Sequence, residues 1–317
     1  MKSFLKMYIE NELKFLRDPK NSKLKDLINI IQNPDIYIQT LELENRIKDI
    51  AILGIGWDSS TAGKPGARFA PKYLIDKLLT LSLYTQDFDK TIDFLGFLKI
   101  ILSNKELTFY NIKHITNKLL KVYRTNIFLG GDHSITNPIL ESFLSKYNNL
   151  NLIVFDSHFD LREIEEGLSG GTYLIDTIKY SVKNNFNLNV VILGIKESAN
   201  PYYLFKNAQK YNVKFLRAFD LLNNRNLAID FIDKNIDKNY PTYVSLDVDS
   251  IDSTFIDSVN SAYGVNLKPF DVIYIIDFIK KNYKLVGMDI VEFNPLVGNL
   301  DKSLNNLVEI LYYFLFN

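Results

Sequence analysis

Eight stretches of the chain are near-continuous apolar runs of strand length. They are KDIAILGIG (48–56), IDFLGFL (92–98), TNIFLGG (125–131), NLIVFDSH (151–158), NVVILGI (189–195), VKFLRA (213–218), YVSLDVD (243–249) and KLVGMDIVEF (284–293). Runs without apolar/polar alternation mark strands buried on both faces, as in a parallel sheet. Between them lie amphipathic stretches of helix length, among them PKYLIDKLLTLSLY (71–84), NIKHITNKLLKVY (111–123), ITNPILESFLSKY (135–147) and PFDVIYIIDFIKKN (269–282). Alternation of the two predicts an α/β fold in three layers, helices on both faces of a mostly parallel eight-stranded sheet. Residues 1–45 read as a polar-amphipathic helical extension, and 46–317 as a single catalytic domain without a Pro/Gly/Ser linker or a repeat. In open sheets of this kind ligands sit beyond the carboxyl ends of the strands. The Gly-containing loops 57–71 and 162–173 both follow strands and are expected there.

Composition narrows the function. Lys+Arg and Asp+Glu balance at 37 each, which argues against a nucleic-acid partner. No run approaches the length of a membrane span, and the charged N-terminal residues do not form the apolar centre of a signal peptide. A soluble, cytoplasmic protein is the expectation. Cysteine is absent, which excludes disulfide and thiolate chemistry. Histidine is scarce, at His114, His133 and His158. His114 falls in a helical pattern and is expected to carry no catalytic task.

The other two histidines stand beside acidic clusters. Successive strand residues point to opposite faces, so FDSHFD aligns Asp156, His158 and Asp160. SLDVDSID aligns Asp247 with Asp249, and FLGGDHS ends a strand with Asp132 and His133. One D-x-D at a strand end is as well explained by capping or loop hydrogen bonding as by chemistry. Three acidic strand ends that share two of three histidines are harder to explain so. Four carboxylates brought together repel, and two divalent cations would balance Asp156, Asp160, Asp247 and Asp249, with His133 and His158 completing the shell. An Asp-rich set with two imidazoles suits manganese better than a thiolate zinc site or an all-oxygen magnesium site.

These motifs resemble the ureohydrolase superfamily of arginases, agmatinases and formimidoylglutamases. GGDHS (130–134), DSHFD (156–160) and SLDVD (245–249) match its three hallmark motifs in order. GKPGARFAP (63–71) and VEFNP (291–295) resemble two further elements, so the likeness runs from about residue 48 to the C-terminus. The resemblance implies an eight-stranded arginase-like sheet and two manganese ions. His133, Asp156, Asp160 and Asp247 would bind one ion, and Asp156, His158, Asp247 and Asp249 the other. It implies hydrolysis of an amidine or guanidine by a hydroxide bridging the two. Asp160 would shuttle a proton to the leaving amine and Glu292 would pair with the cationic head group. A cytosolic role in nitrogen catabolism such as histidine degradation, and a homo-oligomer, trimer or hexamer, are implied as well.

The chain departs from arginases and agmatinases in one loop. Gly170 stands where they usually carry a histidine. HFDLR (158–162) and SGGT (169–172) look more like formimidoylglutamases. That likeness favours N-formimidoyl-L-glutamate as the small-molecule substrate, with Arg162 as a carboxylate clamp and Ser169, Thr172 and Tyr173 as polar contacts. The alternative for Arg162 is a loop salt bridge to Glu163, Glu165 or Glu166. A second departure is Ser253, where relatives usually have proline. Trp57, in the early loop, would line the pocket or simply pack. Agmatine, arginine or another guanidino acid remains the alternative substrate, and a catalytically silent metal-binding protein the alternative of another class. Against silence, an uncompensated carboxylate cluster costs stability. A magnesium phosphoryl-transfer enzyme would need a phosphate loop, and the sequence has none.

Overall fold

A computed structural model describes residues 21–316 except 86, 164–166 and 223. Its strands are β1 (Asn29–Ile30), β2 (Lys48–Gly54), β3 (Ile92–Phe97), β4 (Tyr123–Leu129), β5 (Asn149–Phe155), β6 (Asn187–Ile195), β7 (Lys214–Arg217), β8 (Thr242–Asp247) and β9 (Leu285–Val291). They form one sheet in the order β1-β3-β2-β4-β9-β8-β5-β6-β7. Every pairing within it is parallel.

The eight apolar runs are therefore strands, but the sheet has nine. The ninth, β1, comes from the segment expected to be only helical and pairs Asn29 with Asp93 and Ile30 with Phe94. Both its residues are exposed, so no apolar run announces it. Residues 1–20 of that expected extension lie outside the described residues.

The helices are α1 (Pro34–Leu43), α2 (Ala70–Leu78), α3 (Lys105–Val122), α4 (Thr136–Tyr147), α5 (Tyr173–Lys183), α6 (Tyr202–Lys210), α7 (Ala218–Leu221), α8 (Asn226–Asn235), α9 (Pro269–Asn282) and α10 (Leu300–Phe316). On one sheet face Leu74, Ile232, Ile275 and Leu311 of α2, α8, α9 and α10 pack on Ile52, Ile127, Val244 and Ile290. On the other, Ile38, Ile112, Phe143, Leu174 and Leu204 of α1, α3, α4, α5 and α6 pack on Leu53, Phe128, Leu152 and Val154. Neighbours Ile127 and Phe128 serve opposite faces, as strand geometry requires. Truncating a fully buried anchor such as Leu311 to alanine costs about 2–5 kcal/mol. The third helix begins six residues before the amphipathic stretch expected at 111, because the Asn104 side chain accepts from the Leu107 amide and caps it.

The order of strands locates the crevice. After β4 the chain skips to β5, three places away, and only later do β8 and β9 fill the gap. Ligand crevices form at such reversals, beyond the carboxyl ends of the strands. The loops after β4, β5, β8 and β9 carry every acidic motif of the sequence. No helix among the described residues is long and apolar enough to cross a membrane.

Candidate metal centre

The acidic strand ends after β5 and β8 are each built by a local device that uses one carboxylate oxygen for a backbone amide and leaves the other free. After β8, Asp247 accepts from the Asp249 amide at 2.9 Å through Oδ1 and so caps a short 3-10 turn, Val248–Ser250. After β5, Asp156 accepts from the His158 amide at 2.6 Å through Oδ1. Capping, one of the two alternatives in the sequence, is present, and it leaves the second oxygen of Asp156 and of Asp247 toward His133. After β4, Asp132 caps the turn His133–Ile135, and its amide donates to the Trp57 carbonyl at 2.7 Å. Gly131 allows that approach, because a Cβ there would collide with the Trp57 backbone.

The free oxygens converge on the two histidines. His133 Nδ1 lies 3.2 Å from Asp160 Oδ2, 3.2 Å from Asp247 Oδ2 and 3.4 Å from Asp156 Oδ2. His158 Nδ1 lies 2.8 Å from Asp249 Oδ2 and 3.6 Å from Asp156 Oδ1. Asp156 thus faces both imidazoles. The groups His133–Asp156–Asp160 and Asp156–His158–Asp249 each place their ligand atoms within 4.8 Å of one another. Asp160 and Glu292 hold left-handed backbone, with φ of 50° and 66°. For residues other than glycine this costs of order 1–3 kcal/mol and is characteristic of functional sites.

The electrostatics describe a site short of positive charge. Burial raises the Asp156 carboxyl well above its ordinary value, and the charges of Asp160, Asp247 and Asp249 raise it further. Burial and the Asp249 charge push Asp247 up to about 7. Burial alone would lower the His133 imidazole, but the facing carboxylates of Asp160, Asp247 and Asp156 carry it well above its usual range. Metal ions fit this set. His133 Nδ1 is buried without a hydrogen-bond partner among the described residues. Ligand atoms about 2.1 Å from a shared octahedral ion stand about 3 Å apart, close to the separations around that nitrogen.

Behind His133 runs a chain that sequence reading missed. Its Nε2 lies 2.9 Å from Ser245 Oγ, and Ser245 donates to Asp289 Oδ1 at 2.6 Å. The other oxygen of Asp289 accepts from Thr136 and Tyr243, each at 2.9 Å. An ionised carboxylate only accepts, so Ser245 must spend its hydrogen on Asp289. Ser245 can then only accept from His133, so in the neutral ring, the form that binds a metal, the hydrogen sits on Nε2 and Nδ1 keeps the lone pair toward the carboxylates. The signal was Asp289 itself, a charge in the middle of the apolar run KLVGMDIVEF.

Glu292 Oε1 accepts from the His133 amide at 2.7 Å and faces a cavity of about 340 Å³. His133, His158, Asp160, Asp247 and Asp249 also line it, as do Arg162 and Ser169. The cavity adjoins a wider one of about 1170 Å³, to which Arg162, Ser169 and Thr172 also contribute. Arg162 donates to the Tyr203 hydroxyl at 3.3 Å. It makes no ion pair with Glu163 among the described residues, whereas Glu165 and Glu166 lie outside them. Thr172 is buried and accepts from the Ser169 amide at 2.7 Å. Tyr173, expected to offer substrate a polar contact, lines neither cavity. Its ring is fully buried and stacks on His133 with centroids 4.1 Å apart, so it packs against a ligand candidate instead. A side chain at Gly170 would meet Glu292 Oε1 at 3.3 Å, so this position borders the acid that faces the cavity. The early loop is held to the late Asn-Pro element, with Asn294 donating to the Lys64 carbonyl at 2.8 Å. His114 is exposed on α3 and stacks on Tyr110. Trp57 is buried edge-on against Phe109 and also borders the wider cavity.

The model of the arginase family matches residues 48–316. An agmatinase of Pyrococcus horikoshii is 27% identical over 268 residues, covering 81% of this chain and 87% of the relative. A formimidoylglutamase of Legionella pneumophila is 26% identical over 265 residues, covering 80% and 81%. Among solved structures, the formimidoylglutamase of Bacillus subtilis superposes with a TM-score of 0.81 at 21% identity, covering 97% of each chain.

Proposed function

Because the chain belongs to the arginase family, hydrolases of C–N bonds in linear amidines and guanidines, we propose that it hydrolyses N-formimidoyl-L-glutamate at a binuclear manganese centre. The observation that carries the metal centre is the convergence of four aspartates on two imidazoles, with one buried nitrogen unpartnered. His133, Asp156, Asp160 and Asp247 would hold one ion, and Asp156, His158, Asp247 and Asp249 the other. Such a pair supplies a water activated at neutral pH and held against its target.

The chain's own residues do the rest. Glu292, at the cavity edge, pairs with the cationic formimidoyl head group and turns its planar carbon toward the carboxylates. Arg162 holds a carboxylate of the glutamyl end in its planar fork, which suits bidentate pairing. Ser169 lies beside it in the same cavity. Water adds to the formimidoyl carbon, and the C–N bond to the glutamate nitrogen breaks. Asp160, which lines the cavity and faces His133, hands the proton to that departing nitrogen. The products are glutamate and formamide, and water supplies the oxygen of formamide.

Gly170 and the likeness of HFDLR favour formimidoylglutamate over a guanidine. The agmatinase relative keeps guanidino substrates as the second reading. The test is kcat/KM of the manganese-loaded protein on both classes. Formamide from N-formimidoyl-L-glutamate is expected to exceed urea from agmatine or arginine by at least about 100-fold, the discrimination available to a site with a dedicated polar clamp. A higher kcat/KM for agmatine or arginine would overturn the choice of substrate.

A further inference from the structure

The two candidate imidazoles are not held alike. His133 is buried, and its outer nitrogen leads through Ser245 to a buried carboxylate. His158 is partly exposed, and its outer nitrogen meets a single hydroxyl, that of Tyr263, at 3.1 Å. The two rings meet edge to face, with centroids 5.6 Å apart. We propose that Tyr263 is the positioning residue of His158, and that the backbone N–H of Ser253 keeps it in place.

Tyr263 accepting from Nε2 leaves the Nδ1 lone pair directed at Asp249 and Asp156, the position of the second ion. Without that bond the imidazole is free to turn, and the second ion loses its only nitrogen ligand. The inference rests on the binuclear reading above.

The link to Ser253 is one of backbone geometry. The Asp252 carbonyl accepts from the Phe255 amide at 2.9 Å, closing a turn with Ser253 in its second position. The turn itself does not use the Ser253 N–H, which donates to the Tyr263 carbonyl at 2.8 Å. Lys302 of α10 pins the same turn, donating to the Ser253 carbonyl at 3.0 Å and pairing with Asp257 at 2.9 Å. Proline suits the second position of such a turn but has no N–H to give. The serine, where a proline would satisfy the turn, thus supplies an N–H that fastens the backbone of Tyr263. The stretch between the two, through Val259, Asn260 and Ser261, lines the cavity. One loop therefore forms a wall of the substrate cavity and holds a metal ligand, which couples substrate fit to occupancy of the second ion.

The experiment is a manganese titration of the wild-type protein and of Tyr263→Phe, Ser253→Pro and Ser253→Ala, with free Mn²⁺ read by electron paramagnetic resonance. Thermal unfolding of the metal-free proteins is recorded beside it. The wild type and Ser253→Ala, which keeps the N–H, are expected to bind two ions with the same affinities. Tyr263→Phe and Ser253→Pro are expected to keep one ion at wild-type affinity and to bind the other about 10–100-fold more weakly. Should Ser253→Pro fail to fold, Tyr263→Phe carries the test. Two ions bound by Tyr263→Phe at wild-type affinity would overturn the proposal. So would a loss in Ser253→Ala equal to that in Ser253→Pro, or equal weakening of both ions with a lowered melting temperature. A wild type that binds fewer than two ions would instead overturn the binuclear reading, and this proposal with it.

Discussion

Ser245→Ala isolates what the chain behind His133 contributes. The hydroxyl lies 2.9 Å from His133 Nε2 and 2.6 Å from Asp289 Oδ1, and all three residues are buried. Removing it leaves a ring N–H without an acceptor and a carboxylate oxygen without a donor. Each orphaned buried group costs about 1–3 kcal/mol, so the apo fold should lose about 2–6 kcal/mol. The other oxygen of Asp289 keeps Thr136 and Tyr243, which limits the damage to one side. Freed from its donor role, the imidazole can take the other tautomer, and metal affinity should fall about 10–100-fold at the ion that His133 ligates. Titration with manganese and denaturant unfolding of the metal-free protein measure the two effects separately. Tyr243→Phe removes a donor to Asp289 without touching the link to His133, so it should lower stability and leave metal affinity unchanged. Wild-type metal affinity in Ser245→Ala would refute the reasoning, whatever its stability.

Three further outcomes follow from the geometry. Asp247→Ala removes an oxygen 3.2 Å from His133 Nδ1 and should abolish binding of at least one ion together with activity, read by elemental analysis and product assay. Arg162→Ala should raise KM for N-formimidoyl-L-glutamate about 10–100-fold with metal content unchanged, as expected for loss of a charge-assisted contact, and steady-state kinetics check it. The third outcome concerns pH. Asp247 is raised from 3.8 to about 7 in the metal-free fold, so its contribution is complete below pH 4 and lost as pH climbs through 7. Asp156 is shifted in the same direction. The melting temperature of the metal-free protein should therefore fall between about pH 4 and 7, whereas manganese affinity should rise over the same range as protons cease to compete.

Much of this arrangement was legible in the sequence because burial on both faces writes itself as uninterrupted apolar runs. Those runs located eight strands, and the acidic residues at their ends located the crevice. β1 was not legible, since two exposed residues added at an edge need no apolar pattern. Asp156, His158 and Asp160 came together as alternation suggests, although Asp160 reaches the site from left-handed backbone rather than from a continued strand. Contacts between residues far apart in the chain were the hidden part. Ser245 and Asp289 sit on neighbouring strands, and their pairing depends on a strand order that periodicity does not reveal. Tyr173 follows a glycine pair whose direction is set by packing, so its burial against His133 could not be foreseen. Ser253 was noticed only as a missing proline, and its N–H acquires meaning once Tyr263 is seen beside it.

The most direct test of the centre is a metal count. Protein equilibrated with excess manganese, freed of unbound metal and analysed for manganese per chain should hold two ions. Two ions are what four aspartates around two imidazoles would neutralise. A count of one or none in folded protein would contradict the binuclear centre.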